Sequence, residues 1–175
     1  LAEAHANRKP SLVLISSKGS LDWAYPPFIL ASTAAALDWD VSIFFTFYGL
    51  NLLKQDIDLQ MSALGNPAMP MKMPFGPEWF QKINWNMPNL LMAGVPGFEK
   101  FSTTMMKQTV KNKGVASIDT LRSACIETGV KMYACQMTVD LFGYKKEEFI
   151  PEIEAWVGAA TVLPLAHEAS VSMFI

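Results

Sequence analysis

The sequence predicts an α/β fold, a three-layer sandwich with a mainly parallel sheet of about five strands. Three observations point to it. Ser11-Leu12-Val13-Leu14-Ile15-Ser16 and Val41-Ser42-Ile43-Phe44-Phe45-Thr46-Phe47 are short, nearly unbroken apolar runs, the mark of strands buried on both faces. A helix-length segment with short joints separates them, which makes a right-handed parallel βαβ unit the default. Val130, Met132 and Ala134 then alternate with Lys131 and Tyr133, a third strand leading towards a helix.

In chain order, Ser17-Lys18-Gly19-Ser20 is a turn after the first strand; with no second glycine following, it lacks a phosphate-loop pattern. A helix is expected from about Tyr25 or Pro26, because proline is tolerated in a first helical turn. Phe28, Ile29, Ala31, Ala35, Ala36 and Leu37 make it apolar nearly all round, which predicts cover on two sides. Tyr48-Gly49-Leu50-Asn51 closes the second strand at the carboxyl edge, where open α/β sheets carry ligands.

From Leu53 to Lys113 the character changes. Met61, Met69, Met71, Met73, Met87 and Met92 fall among Pro67, Pro70, Pro74, Pro77, Pro88 and Pro96, with Trp79, Phe80 and Trp85 between them. Proline at this density breaks both helix and strand, so the stretch reads as an irregular excursion with a short helix near Pro77 to Ile83. Its methionines and aromatics suit an oligomer interface, a lid or a docking surface. Gly97 to Lys111 looks helical, with Gly114 as its stop. Ser117 caps the next helix, where Leu121, Ala124, Cys125 and Thr128 follow helical spacing, and Gly129 ends it. After the third strand, Thr138 is expected to cap a helix carrying Val139, Leu141 and Phe142, which closes at Phe142-Gly143-Tyr144. Lys145 to Glu148 is a solvated turn, Glu152 to Val157 a short strand, and Gly158-Ala159-Ala160-Thr161 opens a helix whose early turns Pro164 should disturb. Val171 to Ile175 is the last strand. The whole reads as a single domain over 1–175, with 54–113 as an irregular and helical insertion.

Half of the 175 residues are hydrophobic (51%) and only 17% are charged, an apolar excess that self-association usually hides. A net charge of −2 offers no basic field for nucleic acid and no polybasic membrane patch. The apolar region Pro26 to Leu53 is interrupted by Asp38 and Asp40 and leaves pieces too short to cross a bilayer, though membrane contact through the methionine-rich stretch stays open. Leu1 to Pro10 lacks the apolar segment of a signal peptide. Two cysteines are too few for a secreted disulfide framework, so a cytoplasmic setting is expected.

Metal binding has little support: His5 and His167 are far apart, and Cys125 and Cys135 lack metal-ligand spacing. The dinucleotide glycine fingerprint is absent, and no carboxylate pair suggests acid–base work. No cofactor or metal is expected. A Cys-His hydrolase would require His167 beside Cys135, which nothing in the spacing supports. Thiol chemistry remains. Cys135 is placed at the carboxyl end of a strand and the amino end of a helix, where N–H groups favour a sulfur anion; the alternative is one more small buried residue. Cys125, on the preceding helix, reads as buried and inert. Its helix runs antiparallel to the following strand, so a disulfide to Cys135 within one chain is not expected, whereas a link across an oligomer interface is conceivable.

Tyr133-Ala134-Cys135-Gln136-Met137-Thr138-Val139-Asp140, followed by Phe142-Gly143-Tyr144 and Trp156-Val157-Gly158-Ala159-Ala160-Thr161, resembles the DsrE/DsrF-like sulfur-relay family. The likeness is greatest to its larger DsrE-type branch, often labelled peroxiredoxin-like. It extends through Tyr25 to Ala31 and Phe44 to Leu50 into the methionine-rich stretch, and so covers nearly all of the chain after Pro10. The resemblance implies a parallel α/β fold, homo-oligomerisation, and a cysteine carrying sulfane sulfur as a persulfide, which maps onto Cys135. It also implies a protein sulfur donor and a protein sulfur acceptor. Peroxidase chemistry is not implied: it needs a thioredoxin fold with threonine and arginine at the thiolate, and the only arginines are Arg8 and Arg122.

On this reading the protein is a cytoplasmic sulfur carrier or sulfurtransferase. Cys135 holds the sulfur, the backbone N–H groups of Gln136, Met137 and Thr138 stabilise the anion, and the Gln136 and Thr138 side chains add hydrogen bonds. Two rivals are a non-catalytic oligomeric interaction module with Cys135 buried, and a thiol redox protein using Cys125 as a second thiol.

Overall fold

The computed structural model describes residues 8–62, 72, 76–83 and 96–175. Within them lie β1 (Ser11–Ser16), α1 (Leu21–Ala36), β2 (Asp40–Phe45), a 3-10 turn (Phe47–Leu53), α2 (Glu78–Gln81), α3 (Phe98–Asn112), α4 (Ile118–Glu127), β3 (Lys131–Cys135), α5 (Gln136–Phe142), a 3-10 turn (Lys146–Glu148), β4 (Ala155–Val157), α6 (Ala159–Glu168) and β5 (Val171–Phe174). The chain divides into two compact units, one of Leu1–Gly19, Trp23–Ile57 and Ile118–Ile175, the other of Ser20–Asp22 and Asp58–Ser117.

The first unit is built on a five-stranded sheet in the order β4-β3-β2-β1-β5. Every strand pair is parallel, as the expected βαβ connections require. Alternation along the strands sends neighbouring side chains to opposite faces. Phe28 of α1 meets Phe45 on one face, with ring centroids 6.0 Å apart. On the other face Val162 of α6 packs with Phe44 and Cys135, flanked by Ile15, Tyr133 and Val157. Leu14, Ile43 and Met132 are completely buried, so β1, β2 and β3 form the centre of the core.

The short second unit is tied to itself by polar contacts. The Leu21 N–H donates to the Gln60 carbonyl at 2.8 Å, Ser62 N–H to Asp22 Oδ1 at 3.2 Å, and Met61 N–H to Thr103 Oγ1 at 2.9 Å. The helix expected near Pro77 to Ile83 is present as α2, and the one from Gly97 as α3. Met69, Met71, Met73, Met87, Met92, Pro67, Pro70, Pro74, Pro88 and Trp85, on which much of the expected excursion rests, lie outside the described residues.

Several boundaries differ from expectation. α1 starts at Leu21, ahead of Tyr25, because the Leu21 N–H finds an acceptor in Gln60 and Asp22 lies in the acid-favouring first turn. Pro26 and Pro27 therefore lie inside the helix and remove the donors to the carbonyls of Asp22 and Trp23. Among the described residues of α1, Ala24, Phe28 and Ala31 are fully buried, while Trp23, Ile29 and Leu30 are exposed. β2 ends at Phe45, two residues early, because Phe47 turns into the left-handed region with φ 47°. β4 spans three residues, not six. α6 runs unbroken through Pro164, which sits at its sixth position and forfeits only the bond to Ala160. Gly129 ends α4 with φ 76° and Gly143 ends α5 with φ 65°, both conformations that a Cβ would strain. Among the described residues no helix is long and apolar enough to cross a membrane.

Candidate functional site

The parallel sheet brings the ends of its strands to one edge. Phe45 pairs with Ala134, and Cys135 pairs with Val157, so Thr46 follows β2 at the level of Cys135. Cys135 is the last residue of β3 and at once the N-cap of α5, with extended φ −74° and ψ 110°. No turn intervenes between strand and helix. Thr138, expected as the N-cap, is thus displaced to the third residue of α5, where its side chain is completely buried.

That displacement creates the site. The Thr138 hydroxyl accepts the Phe47 N–H at 3.2 Å and lies 3.4 Å from the Thr46 hydroxyl. Burial, the largest single influence on Cys135, pushes its thiol pKa up. Hydrogen bonds from the Thr138 and Thr46 hydroxyls, then from the backbone N–H groups of Thr138 and Met137, together outweigh it, and the net pKa lies below its ordinary value. α5 has only seven residues, so specific donors matter here more than a summed helix dipole. The sulfur is nonetheless covered: Cys135 is 4% exposed, beneath Phe44 and Val162.

Of the residues named from sequence, Met137 and Thr138 contribute as donors, and the Met137 side chain stands 62% exposed. The Gln136 amide is turned along the helix and donates to Asp140 Oδ1 at 2.8 Å. Thr46 was not singled out from sequence. The available signal was register, since the residue after β2 in a parallel pair must end level with the cysteine after β3.

Cys125 is a different kind of thiol. It is completely buried on α4, and its sulfur donates to the Phe28 carbonyl at 3.6 Å. Burial pushes its pKa up to about 12, against a weaker opposing hydrogen bond with the Ser32 backbone. A link across an oligomer interface, conceivable from sequence, would need an accessible sulfur that Cys125 does not present. His167, in the last turn of α6, lies at the amino edge of the sheet just before β5, away from Cys135, and cannot act as its base. His5 is outside the described residues. Among the described residues no group of three or more His, Cys, Asp or Glu side chains is placed to hold a metal.

The carboxyl edge also carries exposed apolar side chains. Phe47, Tyr48, Met137, Leu141 and Phe142 are all more than a third exposed, and Phe142 stacks on Tyr48 with centroids 5.9 Å apart. Met137 and Leu141, four residues apart, share one face of α5.

The first unit is of the parallel α/β class, with a thiol of lowered pKa at the carboxyl edge of its sheet. Comparison narrows the class: residues 8–174 match the model of the DsrE/DsrF/DrsH-like family, and the chain belongs to that family. It is 52% identical over 164 residues to the protein named Sulfur carrier protein DsrE2 of Allochromatium vinosum, covering 94% of this chain and 97% of that protein. It is 32% identical over 168 residues to the uncharacterized protein YrkE of Bacillus subtilis, covering 96% and 97% respectively.

Proposed function

We propose that this protein is a sulfur carrier that accepts sulfane sulfur on Cys135 and surrenders it to a partner thiol. The observation that carries the reading is the environment of Cys135, where two hydroxyls and two backbone N–H groups favour the charged sulfur despite its burial. The identity to a protein named as a sulfur carrier supports it.

In the loading step, the Cys135 thiolate attacks the outer sulfur of a donor persulfide R–S–SH. A new S–S bond forms to Cys135, the donor S–S bond breaks, and the donor departs as the thiolate R–S⁻ with that bond's electron pair. The persulfide proton passes to the departing thiolate or to water, leaving Cys135–S–S⁻. Unloading reverses this sequence on an acceptor thiolate, so neither step needs an external oxidant or reductant. The outer sulfur is a larger, softer anion, and the donors around Cys135 suit it as they suit the thiolate. Because the sulfur is covered, exchange requires local opening beneath Val162 or in the first turn of α5. The exposed apolar side chains on α5 and the 3-10 turn favour protein donors and acceptors.

The reading includes a single functional domain spanning both compact units, a cytoplasmic setting and a homo-oligomer. The uninterrupted family match over 8–174 supports the first, and the exposed apolar face of α1 supports the last. Cys125 has no part in transfer. Incubation with polysulfide followed by mass spectrometry tests the reading: an increment of about 32 daltons, one sulfur atom, is expected on Cys135 and absent from Cys135→Ser. Normal loading of Cys135→Ser would refute it. The interaction-module reading draws on the covered sulfur, and it predicts that native Cys135 resists both polysulfide and iodoacetamide.

A further inference from the structure

We propose that Thr46, with the backbone of Phe47, forms the second half of the sulfur-anion site and selects the charged form of whatever sulfur Cys135 carries. This rests on Cys135 being the sulfur-holding residue. The geometry is specific. Thr138 is completely buried, so its hydroxyl must satisfy one donor and its acceptor lone pairs locally. Phe47 N–H fills one acceptor position at 3.2 Å. The Thr46 hydroxyl lies 3.4 Å away, and either hydroxyl can be the donor between the two. When Thr46 donates, the Thr138 proton is left for the sulfur; when Thr138 donates, the Thr46 proton is left for it. A hydroxyl that spends its lone pairs on N–H and O–H donors has little acceptor capacity left for the proton of a neutral thiol or persulfide.

The placement of the donors comes from β2, not from the strand that carries the cysteine. Thr46 lies one residue beyond the register pair Phe45 and Ala134, on the face shared by Phe44 and Cys135. The left-handed turn at Phe47, φ 47°, breaks the strand there and leads into the 3-10 turn, whose Gly49 N–H donates to the Thr46 carbonyl at 2.9 Å. The consequence is selectivity. Thiolate and persulfide, both anions, are held in preference to their protonated forms.

The test is the pH profile of Cys135 alkylation by iodoacetamide in the full chain, located by peptide mass spectrometry. Thr46→Val should move the midpoint upward by about half to one pH unit, a threefold to tenfold slower reaction below the midpoint, while Thr46→Ser should retain the wild-type profile. If circular dichroism shows Thr46→Val to be misfolded, Thr46→Ala is read in its place, with the same shift expected. A profile in a folded Val or Ala variant that superimposes on wild type overturns the proposal, as does a Ser variant that shifts as far as Val. Failure of wild-type Cys135 to load sulfur is a separate outcome: it removes the carrier reading but leaves the profile shift to be judged by itself.

Discussion

Cys125 and Cys135 lie on opposite faces of one sheet. Cys125 is held against Phe28 of α1, which packs on Phe45, whereas Cys135 sits under Val162 of α6 beside Phe44. The sheet itself separates the two sulfurs, and their environments act in opposite directions on them. Burial alone dominates at Cys125, whereas donors overcome it at Cys135.

Iodoacetamide at pH 8 should therefore label Cys135 alone in the folded protein, slowly because of its cover, and reach Cys125 only after denaturation. Peptide mapping by mass spectrometry reads this directly. Native labelling of Cys125 at a comparable rate would contradict the assignment, as would a Cys125–Cys135 linked peptide under mild oxidation.

The raised Cys125 pKa carries a stability signature. Above its ordinary value of 9.0 the unfolded chain releases this proton, while the folded protein keeps it until about 12. The stabilisation is complete below the ordinary value and is lost as pH climbs towards the folded value. Urea unfolding of wild type and Cys125→Ala should show the gap between them shrinking by about 1 kcal/mol from pH 8.5 to pH 10. A constant gap would mean that the thiol ionises alike in both states. Cys135 has the opposite sign: its depressed pKa contributes stability above the ordinary value that is lost as pH falls through the folded one.

Arg122 anchors the 3-10 turn behind the site. Its Nη1 donates to the Lys54 carbonyl at 2.6 Å and the Leu52 carbonyl at 3.2 Å, and Nη2 reaches Asp119 at 3.4 Å. Arg122→Met keeps much of the packing but orphans both carbonyls, and should cost about 1–3 kcal/mol in urea unfolding. A loss of less than about half a kcal/mol would show that water takes over those carbonyls.

Gly49 lets two backbones approach. A Cβ there would stand 2.2 Å from the Ser16 carbonyl oxygen, a clash with main chain that no rotamer relieves. Gly49→Ala should destabilise by about 2–3 kcal/mol, as overpacking against fixed backbone does. Gly158→Ala, where a Cβ meets nothing within 4 Å, is the control and should be nearly neutral. Equal effects at the two positions would argue that the 3-10 turn yields.

Val162 packs against Cys135 and Phe44. Val162→Ala removes two methyl groups from the Phe44, Cys135 and Val162 cluster. It should cost about 1–3 kcal/mol and speed native alkylation of Cys135 severalfold. Unchanged alkylation would place the opening in the first turn of α5.

Much of this protein was legible in the sequence. Apolar runs without alternation announced buried parallel strands at Ser11–Ser16 and after Asp40, and glycines at 129 and 143 marked helix stops, because these signals are local. Helix starts were read less well: Leu21 depends on an acceptor at Gln60, nearly forty residues away. Strand alternation and the expectation of a following helix placed Cys135 at a strand–helix junction, which the structure shows, and elimination with the family resemblance made it the candidate thiol. What only the tertiary structure decided is what surrounds that sulfur. Thr46 and Phe47 lie about ninety residues before Thr138 in the chain, and parallel register alone sets them beside it. The division of the two cysteines between sheet faces, and the cover over Cys135, likewise arise from which helices pack on which side. The physical reason is one of range: backbone preference and periodicity act over a few residues, whereas the donors that hold a sulfur anion converge from strands that meet only when the sheet has formed.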